Sequence, residues 1–348
     1  SLTGKIMCGI AGIISPRSDL LRENVAAMCK ALSHRGPDDQ GIENGVNFVL
    51  GHTRLSIVDL SSGHQPMRSY DDNQVIAFNG EIYGYQELRR TTEYPYTNSS
   101  DTEVILAMYR EHGDNLMNHL PGMFAFAIWD KTRQSLFCAR DRFGEKPFYY
   151  AFGPHDEFIF ASEIKAILAS GLVNPRLAKS SLNHYLKFLY VAPETTIYSN
   201  IHTLPPGHTL TYTVGESPVI NRYWSPPSVQ SSNFMTEKER ASTFKSLLEN
   251  AVKKQMVADV PVAAFLSGGL DSTTIVALAS RFTNNLKTIA FGFGGDLSEL
   301  EYASQAAKLY GTEHYEFHAA DVNLPDLTIK MASVYDEPFG DSSNIPTY

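Results

Sequence analysis

The chain has little cysteine, no excess of basic residues and no long hydrophobic run. Its 348 residues include three cysteines, Cys8, Cys29 and Cys138, too few and too scattered for a disulfide framework or a zinc site. No apolar segment reaches the length of a transmembrane helix, and the first residues lack the apolar core of a signal peptide. These absences predict a cytoplasmic protein of a reducing compartment.

The charge balance argues against a nucleic-acid partner. Lysine and arginine number 29 and aspartate and glutamate 38, for a formal net charge of −9, whereas nucleic-acid-binding domains present a basic surface. Anionic substrates would have to be held locally by helix N-termini, a few arginines or Mg²⁺. We therefore expect small-molecule partners, no nucleic acid and no membrane. The sequence leaves the oligomeric state open, with a homodimer among the alternatives.

Two kinds of periodicity predict two domains. Residues 8–215 contain short apolar, β-branched runs bounded by turn residues, with helical stretches between them, which predicts two sheets with helices outside. Residues 216–235 are rich in Pro and Ser and predict a linker. In residues 236–348, which open with a capping box at Thr236 and Glu239, strands and helices alternate as in a parallel sheet of βαβ units.

Cys8, which directly follows Met7, is the first candidate for chemistry. Removal of the methionine would leave a thiol and a free α-amino group on one residue. The amine has a typical pKa of about 7.7–8.0, so it can take the thiol's proton, as in enzymes with an N-terminal threonine nucleophile. A peptide retained before Cys8 would lock the amine in an amide, and any activity that depends on this base should then be weak or absent. A lone cysteine that opens an apolar strand usually serves packing, but the motifs that follow favour catalysis.

The second candidate is a Gly-rich loop between an apolar strand and a helix. Its glycines allow close approach of a ligand, and a helix N-terminus presents free N–H groups to phosphate. Its hydroxyls add donors, its aspartate can bind the Mg²⁺ that accompanies pyrophosphate, and the Lys-Ser/Thr pair of the Walker motif is missing. The loop resembles the pyrophosphate loop of N-type ATP pyrophosphatases, which cleave ATP to AMP and pyrophosphate. It consists of Ser267, Gly268, Gly269, Leu270, Asp271 and Ser272.

Seven further motifs occur in a characteristic order, at residues 7–12, 35–38, 51–55, 79–83, 100–103, 140–147 and 161–166. With the pyrophosphate loop, the set resembles the glutamine-hydrolysing asparagine synthetases, in which a class II (N-terminal-nucleophile) glutamine amidotransferase domain precedes an ATP pyrophosphatase domain. The resemblance covers essentially all of residues 7–348. It implies an α/β protein, an N-terminal αββα sandwich followed by a Rossmann-like parallel-sheet domain that is incomplete at its C-terminus.

The resemblance implies roles for the glutaminase residues. Cys8 would attack the glutamine carboxamide, giving a thioester and ammonia, and Asn79 (side-chain amide) and Gly80 (backbone N–H) would form the oxyanion hole. Arg54 would bind the α-carboxylate of glutamine, and Asp101 its α-ammonium group. A solvated surface ion pair is the competing interpretation of these two charges. The other residues of the implied glutamine site are Leu55, Ser56, Ile57, Val58 and Glu81.

In the second domain, the resemblance implies that residues 267–272 hold the pyrophosphate of ATP, with Mg²⁺ on Asp271. Phe265 and Phe291 would border the adenosine through backbone contacts. The acceptor, the β-carboxylate of aspartate, would be adenylated and then amidated by ammonia from an internal channel. The family's acceptor-binding segment would follow Tyr348, so we expect the natural protein to be longer.

Other functions remain open at this point. A paralogue could amidate another carboxylate, such as an antibiotic, peptide or surface-polysaccharide precursor. A non-catalytic glutamine-binding regulatory protein would retain the fold. The presence of Cys8 disfavours a β-lactam-forming relative, and the acidic charge with the glutaminase motifs disfavours a tRNA-modifying pyrophosphatase.

Several conspicuous residues receive structural interpretations. The unclustered histidines His34, His52 and His314 favour hydrogen-bonded structural roles over a metal site. Cys29 and Cys138 fall on a helical face and in a strand and are expected to pack. Lys146 and residues 163–165 match the family, and we assign them to a domain interface without chemistry. Gly84 departs from the family, which commonly has asparagine there.

Overall fold

The structure is a computed structural model that describes residues 7–60, 62–228, 235–292, 299–318, 323–341, 344 and 348. It divides into two compact units. The first unit takes in the described residues up to Pro226 and also the segment Tyr335–Asp341. The second unit takes in the described residues from Pro227 to Val334. No helix of the described ranges is long and apolar enough to cross a bilayer.

The first unit is built mainly of antiparallel strands. They are β1 Gly9–Ile14, β2 Asp39–Gly45, β3 Phe48–Arg54, β4 Met67–Arg68, β5 Gln74–Ile82, β6 Gly122–Asp130, β7 Ser135–Arg140, β8 Tyr149–Phe152, β9 Phe158–Ala161, β10 Ile201–Thr203, β11 His208–Thr213 and β12 Val219–Arg222. Its helices are α1 Arg22–Ala31, α2 Tyr85–Arg89, α3 Asp101–His112, α4 Ile164–Ala169 and α5 Lys179–Phe188, with short 3₁₀ helices at Ser18–Leu20 and Gly113–Asn118.

These strands form two sheets that pack face to face. One has the order β10-β8-β9-β1-β3-β2 and the other β12-β11-β7-β6-β5-β4. Every residue of β1 and of β3 is buried, as expected for strands covered on both faces. The core between the sheets contains Phe48, Trp129, Phe148, Phe158 and Phe160, among others.

Helices cover the outer faces of both sheets. Apolar residues of α1 and α4 pack on the first sheet, and α3 packs on the second. The α3 helix begins with a side-chain cap, in which Ser100 Oγ accepts a hydrogen bond from the Glu103 backbone N–H. The first unit is thus the αββα sandwich that the resemblance implied.

The boundary of the first unit differs from the sequence interpretation. The predicted linker of residues 216–235 begins inside the unit, since β12 pairs with β11 from Thr211↔Val219 to His208↔Arg222. All four residues of β12 are exposed, so the sequence shows no alternation of buried and exposed residues that would predict this strand. Backbone pairing with β11 stabilises it. Residues 229–234 of the predicted linker lie outside the described ranges.

The second unit alternates helices and parallel strands. Its elements are α6 Glu237–Gln255, β13 Ala263–Phe265, α7 Leu270–Ala279, β14 Lys287–Gly292, α8 Glu299–Tyr310, β15 Glu313–His318 and α9 Leu324–Val334. The strands lie in the order β13-β14-β15, and both pairings are parallel. The capping box predicted at Thr236 and Glu239 starts α6. The parallel sheet confirms the Rossmann-like architecture of this part of the chain.

Candidate active site

Cys8 lies immediately before β1, beside the end of β3. The antiparallel register pairs Gly9 with Thr53, which brings the cysteine to Leu55. The Leu55 N–H donates to Cys8 Sγ at 3.4 Å, and the thiol faces the Leu55 carbonyl oxygen at 3.5 Å. Burial raises the pKa of the Cys8 thiol. The thiol is therefore protonated near neutral pH and needs a base to become a nucleophile.

A cavity next to Cys8 gathers most of the predicted glutaminase residues. Its lining comes from the start of β1, the segment that follows β3, the end of β5 and the N-terminus of α3. Ser56 is not among the residues that line it, and its backbone N–H donates to the Asp38 carboxylate at 3.0 Å. The predicted residues that do line it are Cys8, Arg54, Leu55, Ile57, Val58, Asn79, Gly80, Glu81 and Asp101.

Arg54 is buried, with 4% of its surface exposed, so the surface ion pair considered from the sequence is wrong for this residue. Its guanidinium donates to the carbonyl oxygens of Val58 at 3.2 Å, Asp59 at 2.5 Å and Leu60 at 3.4 Å. A guanidinium has five N–H donors, so these bonds anchor Arg54 to the cavity wall and leave donors for a ligand. The remaining N–H groups lie on Nε and Nη1, and together with the positive charge they favour an anionic ligand group.

Asn79 presents an unpaired amide to the cavity. The residue is fully buried, and neither its Nδ2 nor its Oδ1 has a hydrogen-bond partner among the described residues. Buried polar groups are nearly always paired, so an unpaired amide on a cavity wall indicates a ligand group that is bound there. A developing oxyanion is such a group, which fits the role that the resemblance implied.

Gly80 has a backbone that only glycine adopts readily. Its φ is +154°, and a Cβ added there would lie 2.1 Å from the Met123 carbonyl oxygen of the paired strand β6. A side chain is therefore excluded both by conformation and by contact. The sequence showed the glycine, and the pairing of β5 with β6 supplies the reason for it.

Asp101 is the first residue of α3 and is 7% exposed. Its Oδ2 accepts a hydrogen bond from the Ile82 N–H at 3.0 Å. Burial, reinforced by the nearby Glu81 carboxylate, raises the pKa of Asp101 to about 7. Burial also raises the pKa of Glu81. The buried Asp101 and the half-buried Glu81, on which the charge of Lys146 also acts, place two carboxyl groups on the cavity wall. Such a pair favours a bound cation such as the α-ammonium group of an amino acid.

The sequence did not predict a role for Gln65, whose side chain connects two elements of the cavity wall by hydrogen bonds. Gln65 lines the cavity, and its Oε1 accepts from the Phe78 N–H at 2.7 Å while its Nε2 donates to Thr102 Oγ1 at 3.2 Å. It thereby links β5, which carries Asn79, to α3, which carries Asp101. No motif signals this role, because a single glutamine in a loop has no pattern of its own.

The histidines and the other cysteines have the structural roles expected of them. His52 is fully buried, its Nε2 lies 2.9 Å from the Phe78 carbonyl oxygen, and burial lowers its pKa to about 4. His34 contacts the Glu163 carboxylate, and His314 Nδ1 lies 2.9 Å from Thr288 Oγ1. The remaining cysteines, Cys29 and Cys138, are buried in hydrophobic clusters.

The predicted pyrophosphate loop in the second unit connects β13 to α7. Gly269 is the N-cap of α7, and Gly268 has φ +79°. Ser267 Oγ lies 3.0 Å from Ser272 Oγ, so a hydrogen bond joins the first and last residues of the loop. The loop follows the carboxyl end of a parallel strand, where open α/β sheets bind ligands.

Two aromatic residues flank this end of the sheet. Phe265 ends β13 and is 70% exposed. It pairs with Ile289 on β14, so Phe291, two residues further along, projects on the same side of the sheet. Their role beside the adenosine of ATP stays a prediction.

The chemistry of the loop suits a magnesium nucleotide. Asp271 stands in the first turn of α7 and is exposed. Within the described ranges, no group of three or more His, Cys, Asp or Glu side chains could hold a metal by itself. One carboxylate is sufficient for a Mg²⁺ ion that is bound mainly by substrate phosphates, so the residues present fit that ion.

Comparisons with known proteins agree with this geometry. The family described as glutamine amidotransferase domain matches residues 7–224, and the family described as asparagine synthase matches residues 243–348. A solved structure of the allosteric regulatory enzyme of purine biosynthesis covers 97% of this chain and 90% of its own, with a TM-score of 0.50 and 15% identity. That likeness concerns the fold alone.

Curated relatives carry the comparison further. "Putative asparagine synthetase [glutamine-hydrolyzing] 2" of Methanocaldococcus jannaschii is 38% identical over 98% of this chain and 70% of the relative. "Asparagine synthetase [glutamine-hydrolyzing] 3" of Bacillus subtilis is 35% identical over 95% of this chain and 57% of the relative. The chain thus spans little more than half the length of the second relative. With the Cys8 cavity and the pyrophosphate loop in place, the chain belongs to the family of glutamine-hydrolysing asparagine synthetases.

Proposed function

We propose that this protein is a glutamine-dependent asparagine synthetase that takes ammonia from glutamine and transfers it to aspartate activated by ATP. The observation that carries the proposal is the Cys8 cavity. It combines a thiol with an unpaired buried amide, Asn79, and with charged groups suited to the two ends of an amino acid, Arg54 and Asp101.

The glutaminase half requires a chain that begins at Cys8, because a retained Met7 leaves the Cys8 nitrogen as an amide without a basic lone pair. The free amine takes the thiol proton as Sγ attacks the carboxamide carbon of glutamine. Asn79 and the Gly80 N–H stabilise the oxyanion that forms. The amine then returns the proton to the leaving ammonia, and water hydrolyses the thioester to glutamate.

The synthetase half uses the second unit. The N–H groups and hydroxyls of residues 267–272 bind the pyrophosphate part of ATP, and Asp271 holds Mg²⁺, which neutralises phosphate charge when bound. Phe265 and Phe291 border the adenosine. The β-carboxylate of aspartate attacks the α-phosphate and releases pyrophosphate, and ammonia then displaces AMP to give asparagine. An internal ammonia channel, a cytoplasmic location and a homodimer belong to the same proposal.

The test uses the full-length protein beginning at Cys8, with glutamine, aspartate and Mg-ATP in one tube. We expect glutamate, asparagine and AMP to form in equal amounts. Cys8→Ala should abolish glutamate release and leave asparagine synthesis from free ammonia intact, because the thiol acts only in the first half-reaction. Glutamate without asparagine would point to another acceptor carboxylate, and neither product would favour a regulatory glutamine-binding protein.

A further inference from the structure

A cluster of charged and titratable side chains adjoins Cys8. Arg35 is buried in it, Glu163, Lys165 and Asp336 are half-buried, and His34 is exposed. Arg35 is 8% exposed and contacts the nucleophile residue directly, since its Nε donates to the Cys8 carbonyl oxygen at 3.0 Å. Its own carbonyl accepts from the Met7 N–H at 3.3 Å. In a chain that begins at Cys8, the hydrogen bond from the Met7 N–H is absent. The hydrogen bond from Arg35 Nε to the Cys8 carbonyl oxygen remains.

Glu163 is the centre of this cluster. Its carboxylate accepts from Arg35 Nη1 at 2.7 Å and lies 3.0 Å from both His34 Nε2 and Lys165 Nζ. Burial by itself would raise the pKa of Glu163, but the hydrogen bond from His34 and the charge of Arg35 outweigh it and hold the pKa at about 2. Glu163 is therefore ionised throughout the physiological range.

Glu163 is the N-cap residue of α4, and its side chain makes no capping hydrogen bond. Ser, Thr, Asp and Asn are the side chains that commonly cap a helix N-terminus. Asp336 takes over that task, because its Oδ2 accepts from the Lys165 backbone N–H at 3.0 Å. Asp336 also pairs with Lys165 Nζ at 3.3 Å. Glu163 is thereby free to turn toward Arg35.

We propose that Glu163 is a positioning residue for the glutaminase reaction, which orients the Arg35 guanidinium so that it holds the carbonyl of Cys8. This inference rests on the proposed function, in which Cys8 carries both nucleophile and base. A terminal residue with a free amine has lost the backbone bond from Met7 to Arg35. The hydrogen bond from Arg35 to the Cys8 carbonyl oxygen then limits rotation of Cys8. It keeps the Cys8 thiol and amine aligned with the carboxamide of bound glutamine.

The test is a double-mutant cycle in the full-length protein beginning at Cys8. Glu163→Gln keeps the shape and removes the charge, Arg35→Met removes the guanidinium, and the third variant combines both. Because the groups that bind glutamine are untouched, Glu163→Gln should lower kcat for glutamate release by about tenfold, with KM within about twofold. If Glu163 acts through Arg35, the double variant should lose no more than Arg35→Met alone.

Controls separate positioning from folding. Glu43→Gln removes a carboxylate that pairs with Arg68 elsewhere on the first unit and should leave kcat unchanged. Asparagine synthesis from free ammonia should remain at the wild-type rate in Glu163→Gln. If that variant does not fold, Asp336→Asn replaces it and should lower kcat by about twofold to threefold, because it loosens Lys165 and with it Glu163.

Three results would overturn the inference. They are an unchanged kcat in Glu163→Gln, losses that multiply in the double variant, and equal loss of the ammonia-dependent reaction. If the wild-type protein itself releases no glutamate, both the proposed function and this inference fail. That outcome differs from the three above, because it is seen in the wild type and not only in the variants.

Discussion

Replacing Asn79 with leucine separates the proposed catalytic role of its carboxamide from any structural role. Leucine has a similar shape but offers no donor. The Asn79 amide is fully buried and has no hydrogen-bond partner in the described structure, so Asn79→Leu breaks no protein hydrogen bond. Exchange of an unpaired buried polar group for an apolar one of the same shape is near neutral or stabilising.

The expected loss of activity is much larger than the change in stability. One oxyanion donor typically contributes about 2.7–4 kcal/mol to transition-state stabilisation, so kcat for glutamate release should fall about 10²- to 10³-fold. The midpoint of thermal unfolding should stay the same or rise by a few degrees. Asparagine synthesis from free ammonia should not change.

The assay measures glutamate release and thermal unfolding on the same preparations. Gln74→Met is the matched control, since Gln74 is a buried polar residue at the start of the same strand β5 and is not among the residues that line the cavity. Its glutaminase rate should equal that of the wild type. An unchanged kcat in Asn79→Leu would refute the oxyanion role, and a fall of the unfolding midpoint by more than about 8 °C would show a structural one.

Four further predictions follow from the same structure. With a pKa of about 7 for Asp101, kcat/KM for glutamine should fall as the pH drops below about 7, because the neutral carboxyl cannot pair with the α-ammonium group; a flat profile would contradict this. Since that pKa is raised from 3.8, ionisation of Asp101 costs stability as the pH rises from about 4 to about 7, so Asp101→Asn should unfold at higher temperature than wild type at pH 8. Gly80→Ala should abolish glutamate release and destabilise by at least about 1–3 kcal/mol, whereas Gly113→Ala, with positive φ but nothing within 4 Å of the added Cβ, should cost about 1 kcal/mol in chemical denaturation. Asp271→Asn should raise the KM for Mg-ATP about tenfold and leave glutamate release unchanged, because it weakens one Mg²⁺ ligand; a change in both would argue against separate sites.

Much of the fold follows from local sequence. The fully buried strand β1 is a continuous run of glycine and apolar residues, and the fully buried β3 begins with three apolar residues, 48–50. Helices α3 and α6 begin at side-chain caps that the sequence shows directly. Such features depend on residues within a few positions of one another. They are therefore readable before any tertiary contact is known.

Edge strands could not be predicted in the same way. β2 has the polar sequence Asp-Gln-Gly-Ile-Glu-Asn-Gly, and β12 is exposed along its length. Both are strands because a neighbouring strand supplies hydrogen bonds along one side. That neighbour, rather than the propensity of the segment, decides their conformation, which is why the predicted linker started too early.

The sequence by itself determined which chemical groups the protein carries: a cysteine that trimming of Met7 would make terminal, an Asn-Gly pair, a Gly-rich loop at residues 267–272 and their order along the chain. The tertiary structure alone decided their environment. It left the Asn79 amide without a partner among the described residues and raised the pKa of Asp101. It also brought Glu163 to Arg35 across 128 positions of sequence. Burial and charge pairing arise between residues distant in the chain, and no local pattern encodes them.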